Sequence, residues 1–160
     1  MVRETQAEAH IIKSPVSGTA VPLEEVGDEV LASGMLGAGS AVVPSSGSVF
    51  SPCDGRIVRC ASSKHAFCMV TDDGIELLVH FGIDTVRLRG DAFSMRVSAG
   101  DSVAAGDLVM RVDLDAVRAA GYDPVTSVIV TNPDSLGDVR SEAEASSSVE
   151  AGDPLLAVTA

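Results

Sequence analysis

The sequence predicts an all-β protein, an antiparallel β-sandwich or β-barrel with short helices. Hydrophobic residues make up 46% of the 160 residues, and Val is so frequent that strands are favoured over helices. Turn-forming residues recur about every 8 to 12 residues, as a series of short antiparallel strands requires. Because aromatic residues are only 3% of the chain, we expect an aliphatic core. A chain of this length can bury such a core as one domain without disulfides or metals.

Eight strands are predicted where β-branched and aliphatic runs lie between turns. They are residues 19–21, 40–43, 56–60, 66–71, 75–81, 108–112, 127–130 and 155–159. One helix is predicted at residues 114–120, since Asp113 can cap its start and Gly121 can end it. A helical turn is also expected near residues 23–26.

Two short patterns each occur twice. S-P-x-x-G begins at Ser14 and Ser51, and S-V-x-A-G-D begins at Ser102 and Ser148. They indicate partial duplication of a β unit. Residues 1–11 are expected to form a flexible tail before a domain at residues 12–160, and the Ser-, Glu- and Ala-rich stretch 141–148 is expected to be a loop.

Composition disfavours several classes of function. No apolar run approaches the roughly 18 to 20 residues of a membrane span, and the N-terminus lacks a signal-peptide pattern. A net charge of −12 disfavours nucleic acid and anionic lipid and favours a partner with a basic docking face. Cys53, Cys60 and Cys68 have no C-x-x-C spacing, which is typical of reduced thiols in a cytosol. We therefore expect a cytoplasmic protein.

Histidine chemistry in the domain would fall to His65 and His80, because the third histidine, His10, lies in the expected tail. If Asp73-Gly74 is a two-residue hairpin turn, Phe67 pairs with His80, and His65 lies two residues further along the same face. Such diagonal neighbours are about 7 to 8 Å apart at the backbone, so their rings can approach each other. A three-residue turn would put them on opposite faces.

A histidine pair is compatible with several chemistries. Zinc needs three or four ligands and usually an H-x-H or H-x-x-x-H cluster, which is absent, although the two histidines could bind zinc weakly with an oxygen ligand from Asp28 or Asp84. A triad of Ser63, His65 and Asp84 lacks a G-x-S-x-G nucleophile context. A phosphoryl-accepting imidazole assisted by a second imidazole needs two histidines and no metal. The ordinary alternative is that each histidine is a hydrogen-bonded strand residue.

The residues around both histidines resemble one known family. Residues 77–86, L-L-V-H-F-G-I-D-T-V, closely resemble the histidine motif of the glucose-type IIA domains (EIIA type 1) of the bacterial sugar phosphotransferase system. Residues 63–67, S-K-H-A-F, resemble the family's second histidine segment, and the two S-P-x-x-G patterns resemble its P-x-x-G elements. The match runs from about residue 12 to residue 158. It implies the barrel-sandwich fold.

The resemblance also implies a function. The carrier protein HPr would phosphorylate His80 on its tele nitrogen, and His80 would pass the phosphoryl group to the IIB domain of a sugar-specific permease. His65 would stabilise the phosphoryl group, and Ser63 would join its hydrogen-bond network. We expect the other nitrogen of His80 to donate to a backbone carbonyl, which would fix the tautomer. No cofactor would be required.

The same resemblance implies a docking surface for HPr and IIB, and regulatory partners are possible there. Acidic residues at its rim would be Asp28 and Asp84, for which helix capping or surface solubility is the ordinary interpretation. Its apolar part would be Val30, Leu31, Phe67 and Leu78, although each of these could belong to the core.

Two other classes share some of these features. A biotinyl or lipoyl carrier also has V-x-x-G-D-x-V elements such as residues 97–103, but it is about half as long and needs a lysine at a hairpin tip, for which Lys64 is poorly placed. A zinc peptidase on a related duplicated β motif would need metal ligands that the sequence does not supply in the usual spacing.

Overall fold

The structure is a computed structural model that describes residues 9–159. Within these residues the chain forms fourteen strands and two short α-helices. The strands are β1 Ala9–Lys13, β2 Gly18–Pro22, β3 Ala38–Pro44, β4 Ser48–Phe50, β5 Gly55–Cys60, β6 Ala66–Val70, β7 Glu76–Phe81, β8 Phe93–Met95, β9 Ser102–Val103, β10 Leu108–Val112, β11 Thr126–Val130, β12 Val139–Ser141, β13 Ser148–Val149 and β14 Pro154–Thr159. The helices are α1 Glu29–Ala32 and α2 Leu114–Ala119, and 3-10 turns lie at Leu23–Glu25, Thr85–Leu88 and Pro133–Ser135.

The strands form one large sheet and two small ones. The large sheet has eight strands in the order β13-β2-β3-β11-β7-β6-β5-β9, and the small sheets are β1-β14-β12 and β4-β10-β8. Every described strand pair is antiparallel. The predicted fold class, antiparallel all-β with short helices, is confirmed.

The large sheet packs on both faces, and β7 shows how its sequence separates them. Leu77, Val79 and Phe81 are each no more than 1% exposed and lie in the main core, which fills the inner face. Leu78 and His80 alternate with them, so they point to the outer face. There a smaller apolar cluster covers part of the sheet; this outer cluster consists of Leu23, Val26, Leu31, Ala41, Val125 and Ile129.

The predicted elements are present with small shifts at their ends. All eight predicted strands are found, and α2 begins where predicted and ends one residue earlier. The Asp113 carboxylate accepts a hydrogen bond from Ala116 N at 3.1 Å, as an N-cap should. The turn expected near residues 23–26 is the 3-10 turn Leu23–Glu25.

The missed elements are short. They are α1 and strands β1, β4, β8, β9, β12 and β13, and two of these strands contain only two residues. Apart from β1, which has five residues and was expected to belong mostly to the tail, the missed strands have two or three residues, too few for alternation to signal a strand, and their pairing is set by tertiary contacts. The stretch 141–148, expected to be a loop, includes the last residue of β12 and the first of β13 at its two ends.

The N-terminal boundary differs from the expectation. Residues 9–11, expected to belong to the tail, form part of β1, which pairs with β14 from Ala9 opposite Thr159 to Ile12 opposite Leu156. The Nδ1 atom of His10 lies 2.8 Å from a carboxylate oxygen of Asp73. Because buried Ile12 anchors the strand, β1 is held in the sheet; residues 1–8 lie outside the described residues.

The repeated sequence patterns form repeated structures. The hydroxyl of Ser14 donates to the carbonyl two residues later at 2.7 Å, and the hydroxyl of Ser51 does the same at the same distance. The two copies also bond each other reciprocally, through Lys13 N to Pro52 O at 2.9 Å and Phe50 N to Pro15 O at 2.8 Å. The expected duplication is therefore a pair of matching turns around an approximate twofold axis.

Candidate functional site

His80 lies on β7, near the centre of the outer face of the large sheet. In the strand register it stands directly between Ala66 of β6 and Ser127 of β11. The flanking residues Val79 and Phe81 are fully buried in the main core. This anchoring fixes the backbone under His80 and leaves its half-buried ring on the outer face.

His65 approaches His80 from the residue just before β6. Its carbonyl accepts a hydrogen bond from Phe81 N at 2.8 Å, which holds the start of β6 against the end of β7. The centroids of the two imidazole rings are 4.9 Å apart, and the ring planes are inclined by 82°. The structure therefore brings the two sequence-predicted histidines into edge-to-face contact.

The predicted hairpin turn is wrong. Val70 pairs with Glu76, and Thr71 N bonds Ile75 O at 3.0 Å, so the connection is the three-residue loop 72–74. The Thr71 hydroxyl also accepts a hydrogen bond from Ile75 N at 3.0 Å, which favours the longer loop. As a result, Ala66 rather than Phe67 stands opposite His80.

The rings meet despite this register because His65 lies outside the strand. Strand alternation would place His65 on the inner face, but β6 begins only at Ala66. The preceding residue, Lys64, has a φ of 62° in the left-handed region, where a residue other than glycine is uncommon. This kink breaks the alternation, so the two imidazoles share one site without sharing a regular strand face.

Both imidazoles are held in an environment that favours the neutral ring. Burial lowers the pKa of His80, and the backbone of Gly82 and the charge of Asp28 oppose this only in part. Burial and the nearby His80 lower the pKa of His65 against the effect of the Ser63 backbone. Each Nδ1 is buried and has no hydrogen-bond partner of ordinary geometry. The backbone of Gly82 nevertheless acts on the His80 ring as a hydrogen-bonding group that raises its pKa, so the expected bond to a backbone carbonyl stays a prediction, and Nε2 is the nitrogen left open.

The lowered histidine pKa values predict how stability depends on pH. Below the ordinary histidine pKa of about 6.5, His65 and His80 bind protons in the unfolded chain but stay neutral in the folded chain, because folding lowers their pKa values. Their stabilising contribution is thus complete above pH 6.5 and is lost as the pH falls towards their folded pKa values. We expect urea unfolding to give a smaller free energy at pH 5 than at pH 7.5. A His65→Gln, His80→Gln double variant should show a shallower decline; an unchanged decline would contradict this origin.

Asp28 caps α1 beside His80. Its carboxylate accepts hydrogen bonds from Val30 N at 2.9 Å and Leu31 N at 3.3 Å, and its charge raises the pKa of His80. The ordinary interpretation of this residue as a helix cap therefore holds, and its charge also reaches the histidine site.

Substitutions of Asp28 should separate these two effects. We expect Asp28→Ala to lower the free energy of unfolding by about 1 kcal/mol through loss of the cap, whereas Asp28→Asn keeps an acceptor and should cost much less. Both variants should lower the pKa of His80 further. Urea unfolding and an NMR titration of His80 would measure the two quantities; equal destabilisation by Ala and Asn would contradict the capping role.

The residues expected to dock partners divide by burial. Val30 is 48% exposed, and Leu78 is half-buried on the His80 face. Leu31 is only 4% exposed in the outer cluster, and Phe67 is 1% exposed in the main core. Leu31 and Phe67 are therefore core residues, although Phe67 also lines a cavity beside Leu78, and their contact with a partner stays a prediction that their burial disfavours.

Ser63 and Asp84 are close to the two histidines in sequence, but their side chains make no described contact with either ring. Ser63 is half-buried, and its backbone raises the pKa of His65. Asp84 is exposed with a left-handed φ of 60°, and its side chain does not cap the 3-10 turn that follows it. The structure thus brings Ser63 to His65 through its main chain, and leaves the carboxylate of Asp84 in solvent.

Sequence reasoning missed several surface residues. Met35 is 78% exposed, and Leu36 and Val86 are 39% and 49% exposed. Met35 lines a surface hollow together with Val30, so it extends the apolar surface around Val30. Large apolar residues within polar or glycine-rich segments were the only sequence signal for them.

A bulge in β5 adds a cationic residue to the His80 face. The register shifts between Ile57 and Arg59, so Arg59 stands opposite Cys68, and both line a cavity of about 230 Å³ with Leu78. Bulges often re-aim side chains next to functional sites. The sequence does not predict this position of Arg59, because the bulge determines on which face of the sheet its side chain lies.

The described residues offer little support for metal binding or for thiol chemistry. Among residues 9–159, no group of three or more His, Cys, Asp or Glu side chains is arranged to hold a metal ion. Cys53, Cys60 and Cys68 are free, and burial raises the pKa of Cys53 to about 12, so this thiol stays protonated. No helix in the described part of the chain is long and apolar enough to cross a bilayer.

A family profile matches residues 10–136, which include both histidines, and its description is the phosphoenolpyruvate-dependent sugar phosphotransferase system, EIIA 1. The chain belongs to this EIIA family. The EIIA chain is also similar to a solved structure, the glucose permease IIA from Mycoplasma capricolum. The TM-score is 0.81 and the identity 32%, over 94% of this chain and 96% of that one.

Similar curated proteins are much longer than this EIIA chain. It is 46% identical over 131 residues to the PTS system glucose-specific EIICBA component of Streptococcus pneumoniae serotype 4, and 43% identical over 129 residues to the beta-glucoside-specific EIIBCA component of Bacillus subtilis. These alignments cover 82% and 81% of this chain but only 18% and 21% of the relatives. A beta-glucoside-specific EIIBCA component of Dickeya chrysanthemi is 39% identical over 97% of this chain and 25% of its own length. The EIIA chain thus spans about a fifth to a quarter of these relatives, and it is a component of a phosphotransferase system.

Proposed function

We propose that the chain accepts a phosphoryl group from phospho-HPr on Nε2 of His80 and passes it to a IIB domain, in support of sugar uptake. The observation that carries the proposal is the contact between two neutral imidazoles, with ring centroids 4.9 Å apart, whose Nδ1 atoms are both buried. Only Nε2 of His80 can then present its lone pair to a donor. The proposal places this step in the cytoplasm.

The depressed pKa of His80 suits a nucleophile. A protonated imidazole has no lone pair to attack with, and burial keeps His80 neutral near pH 7. In the transfer, the Nε2 lone pair forms a bond to phosphorus while the bond between phosphorus and the donor's leaving atom breaks. In the onward step the acceptor group on IIB is the incoming nucleophile, and the bond between phosphorus and Nε2 of His80 breaks. Neither step needs a metal or cofactor in this proposal.

His65 is placed to stabilise the phosphoryl group. A ring at 82° to the His80 plane can direct its open nitrogen towards oxygens on the phosphorus above Nε2. Such a preorganised donor acts where charge develops during transfer. The backbone of Ser63 raises the pKa of His65 through a hydrogen-bonding interaction, so Ser63 would position His65. Its hydroxyl would complete the hydrogen-bond network once the phosphoryl group is present.

The docking surface in this proposal combines apolar and acidic residues. Val30, Met35 and Val86 expose apolar side chains, Leu78 lies beside the site, and Asp28 and Asp84 supply negative charge. A chain with a net charge of −12 attracts a partner with a basic face. The association rate constant of such a pair should fall as the salt concentration rises. HPr and IIB would bind this surface in turn, since both must reach Nε2. The names of the relatives make glucose and beta-glucosides the candidate sugars of the partner permease.

The direct test is incubation with phosphorylated HPr. The wild-type chain should gain one acid-labile phosphate, which mass spectrometry should map to His80. Addition of a IIB domain should then remove it. Phosphate mapped to His10 or His65 instead would overturn the assignment.

A further inference from the structure

Two segments near His80 in the fold differ in the sign of their charge. Residues 14–53 contain no Lys or Arg, and their acidic residues are Glu24, Glu25, Asp28 and Glu29. Residues 55–71 contain no Asp or Glu, and their basic residues are Arg56, Arg59 and Lys64. The second segment is therefore cationic within a chain whose net charge is −12.

The fold places these two segments on opposite sides of His80. The acidic segment includes the 3-10 turn Leu23–Glu25 and α1, whose apolar residues pack over β3 and β11 in the outer cluster. The cationic segment forms β5, the loop that leads to His65, and β6. In the sheet order β3-β11-β7-β6-β5, His80 on β7 lies between the two. A partner centred on His80 would meet negative charge on one side and positive charge on the other.

Arg59 presents its charge on the outer face of the sheet. It is exposed, and it lines the cavity of about 230 Å³ together with Cys68 and Leu78. Burial raises the pKa of Cys68, and the positive charge of Arg59 opposes this rise, so the guanidinium lies near the thiol. Among residues 9–159, Arg59 has no carboxylate within ion-pair distance. Its charge is therefore available to a partner.

Lys64 adds a second exposed charge on the same side. It directly precedes His65, and it too forms no ion pair within the described part of the chain. A methyl group placed on Gly90 would lie 3.6 Å from Cδ of Lys64, so the exposed residue Arg89 belongs to the segment beside it. The fold thus gathers cations that are distant from one another in the sequence.

We propose that HPr docks on this chain in one orientation, with basic residues of HPr facing α1 and a carboxylate of HPr paired with Arg59 and Lys64. The inference rests on the proposed function, and it assigns HPr a contact face with both signs of charge rather than a uniformly basic one. Opposite charges on the two sides of an interface favour one orientation of the partner and disfavour the reversed one. Orientation matters here, because the phosphorus must be brought in line with Nε2 of His80.

The test compares association of unphosphorylated HPr with Arg59→Glu and with Arg111→Glu, by stopped-flow fluorescence at low salt. Arg111 is the matched control, since it is exposed on β10, in a small sheet that carries neither histidine, and both substitutions change the net charge equally. We expect Arg59→Glu to associate about fivefold more slowly than the wild-type chain, the upper range for one exposed ion pair. The difference should shrink at high salt. Arg111→Glu should not slow association, and Arg59→Lys, which keeps the charge, should associate at the wild-type rate.

The sign of the effect distinguishes the two kinds of partner face. A uniformly basic face on HPr would associate faster with Arg59→Glu, because the substitution adds negative charge. A rate that is unchanged or higher in Arg59→Glu, or that falls equally in Arg111→Glu, would overturn the inference, as would a wild-type chain that does not bind HPr.

This experiment is independent of phosphoryl transfer, because HPr carries no phosphate in it. A wild-type chain that shows the expected charge dependence but gains no phosphate from phospho-HPr would overturn the proposed function and leave the docking inference intact.

Discussion

His80→Ala should abolish acceptance of phosphate from phospho-HPr, because it removes the Nε2 nucleophile that this proposal assigns. The neighbouring ring of His65 has a buried Nδ1 of its own and lies just before the start of β6, with its plane inclined by 82° to that of His80, as suits a helper rather than a replacement. Removal of a covalent nucleophile eliminates the pathway rather than slowing it. We expect the labelled phosphate on the variant to fall to background in a gel or mass-spectrometric assay with stoichiometric phospho-HPr.

His10→Ala is the matched control for this experiment. His10 contacts Asp73 in the loop of the β6–β7 hairpin, whereas His80 lies near the other end of that hairpin, about 20 Å away along the strands. This variant should accept phosphate at the wild-type rate. Circular dichroism and thermal unfolding should show that both variants are folded. Phosphate that persists on a folded His80→Ala variant would sink the assignment.

His65→Gln should separate the two halves of the reaction. Glutamine keeps a side-chain donor of similar reach, so we expect acceptance from phospho-HPr to persist. It cannot become positively charged, so it should stabilise the charge of a departing phosphoryl group poorly. We expect transfer onward to IIB to slow by about 10²-fold, the loss typical of one well-placed donor.

Rapid-quench measurements on isolated phospho-protein would follow this second step alone. The variant is loaded with labelled phosphate, freed of HPr and mixed with IIB, and the remaining label is counted over time. An Arg111→Gln variant is a suitable control, because Arg111 is exposed on β10, in a small sheet that carries neither histidine. If acceptance and onward transfer fell by the same factor in His65→Gln, the division of roles between the histidines would be refuted.

The fold was predictable wherever a strand or helix is long enough for its hydrophobic residues to show the alternation or spacing typical of that element. On β7, Leu77, Val79 and Phe81 alternate with residues of the outer face, so strand and orientation follow from the pattern alone. The helix α2 was equally clear, because Asp113 and Gly121 mark its two ends. Strands such as β9 and β13 contain two residues each and are defined by their partners, which no local pattern reveals.

The site was predictable in its residues but not in its geometry. The loop 72–74 moved the register by one residue, which alone would have separated His65 from His80. Their contact depends on the left-handed conformation of Lys64, which is not a residue that favours it. Leu31 illustrates the same limit for the docking surface: it is buried in a cluster that joins the preceding turn, at Leu23 and Val26, to Ile129 of the sheet, and this packing is not visible in the local sequence.

The pairing of β1 with β14 places the two ends of the described chain side by side, with Ala9 opposite Thr159. A linker attached at either end would therefore leave the molecule from the same edge. Fusion to other domains would hold His80 at a similar distance from them whichever end is used, so the order of domains in a longer polypeptide would be free to vary. Such tethering replaces a bimolecular encounter with an effective concentration set by linker length, and adjacent ends are also a property that favours circular permutation.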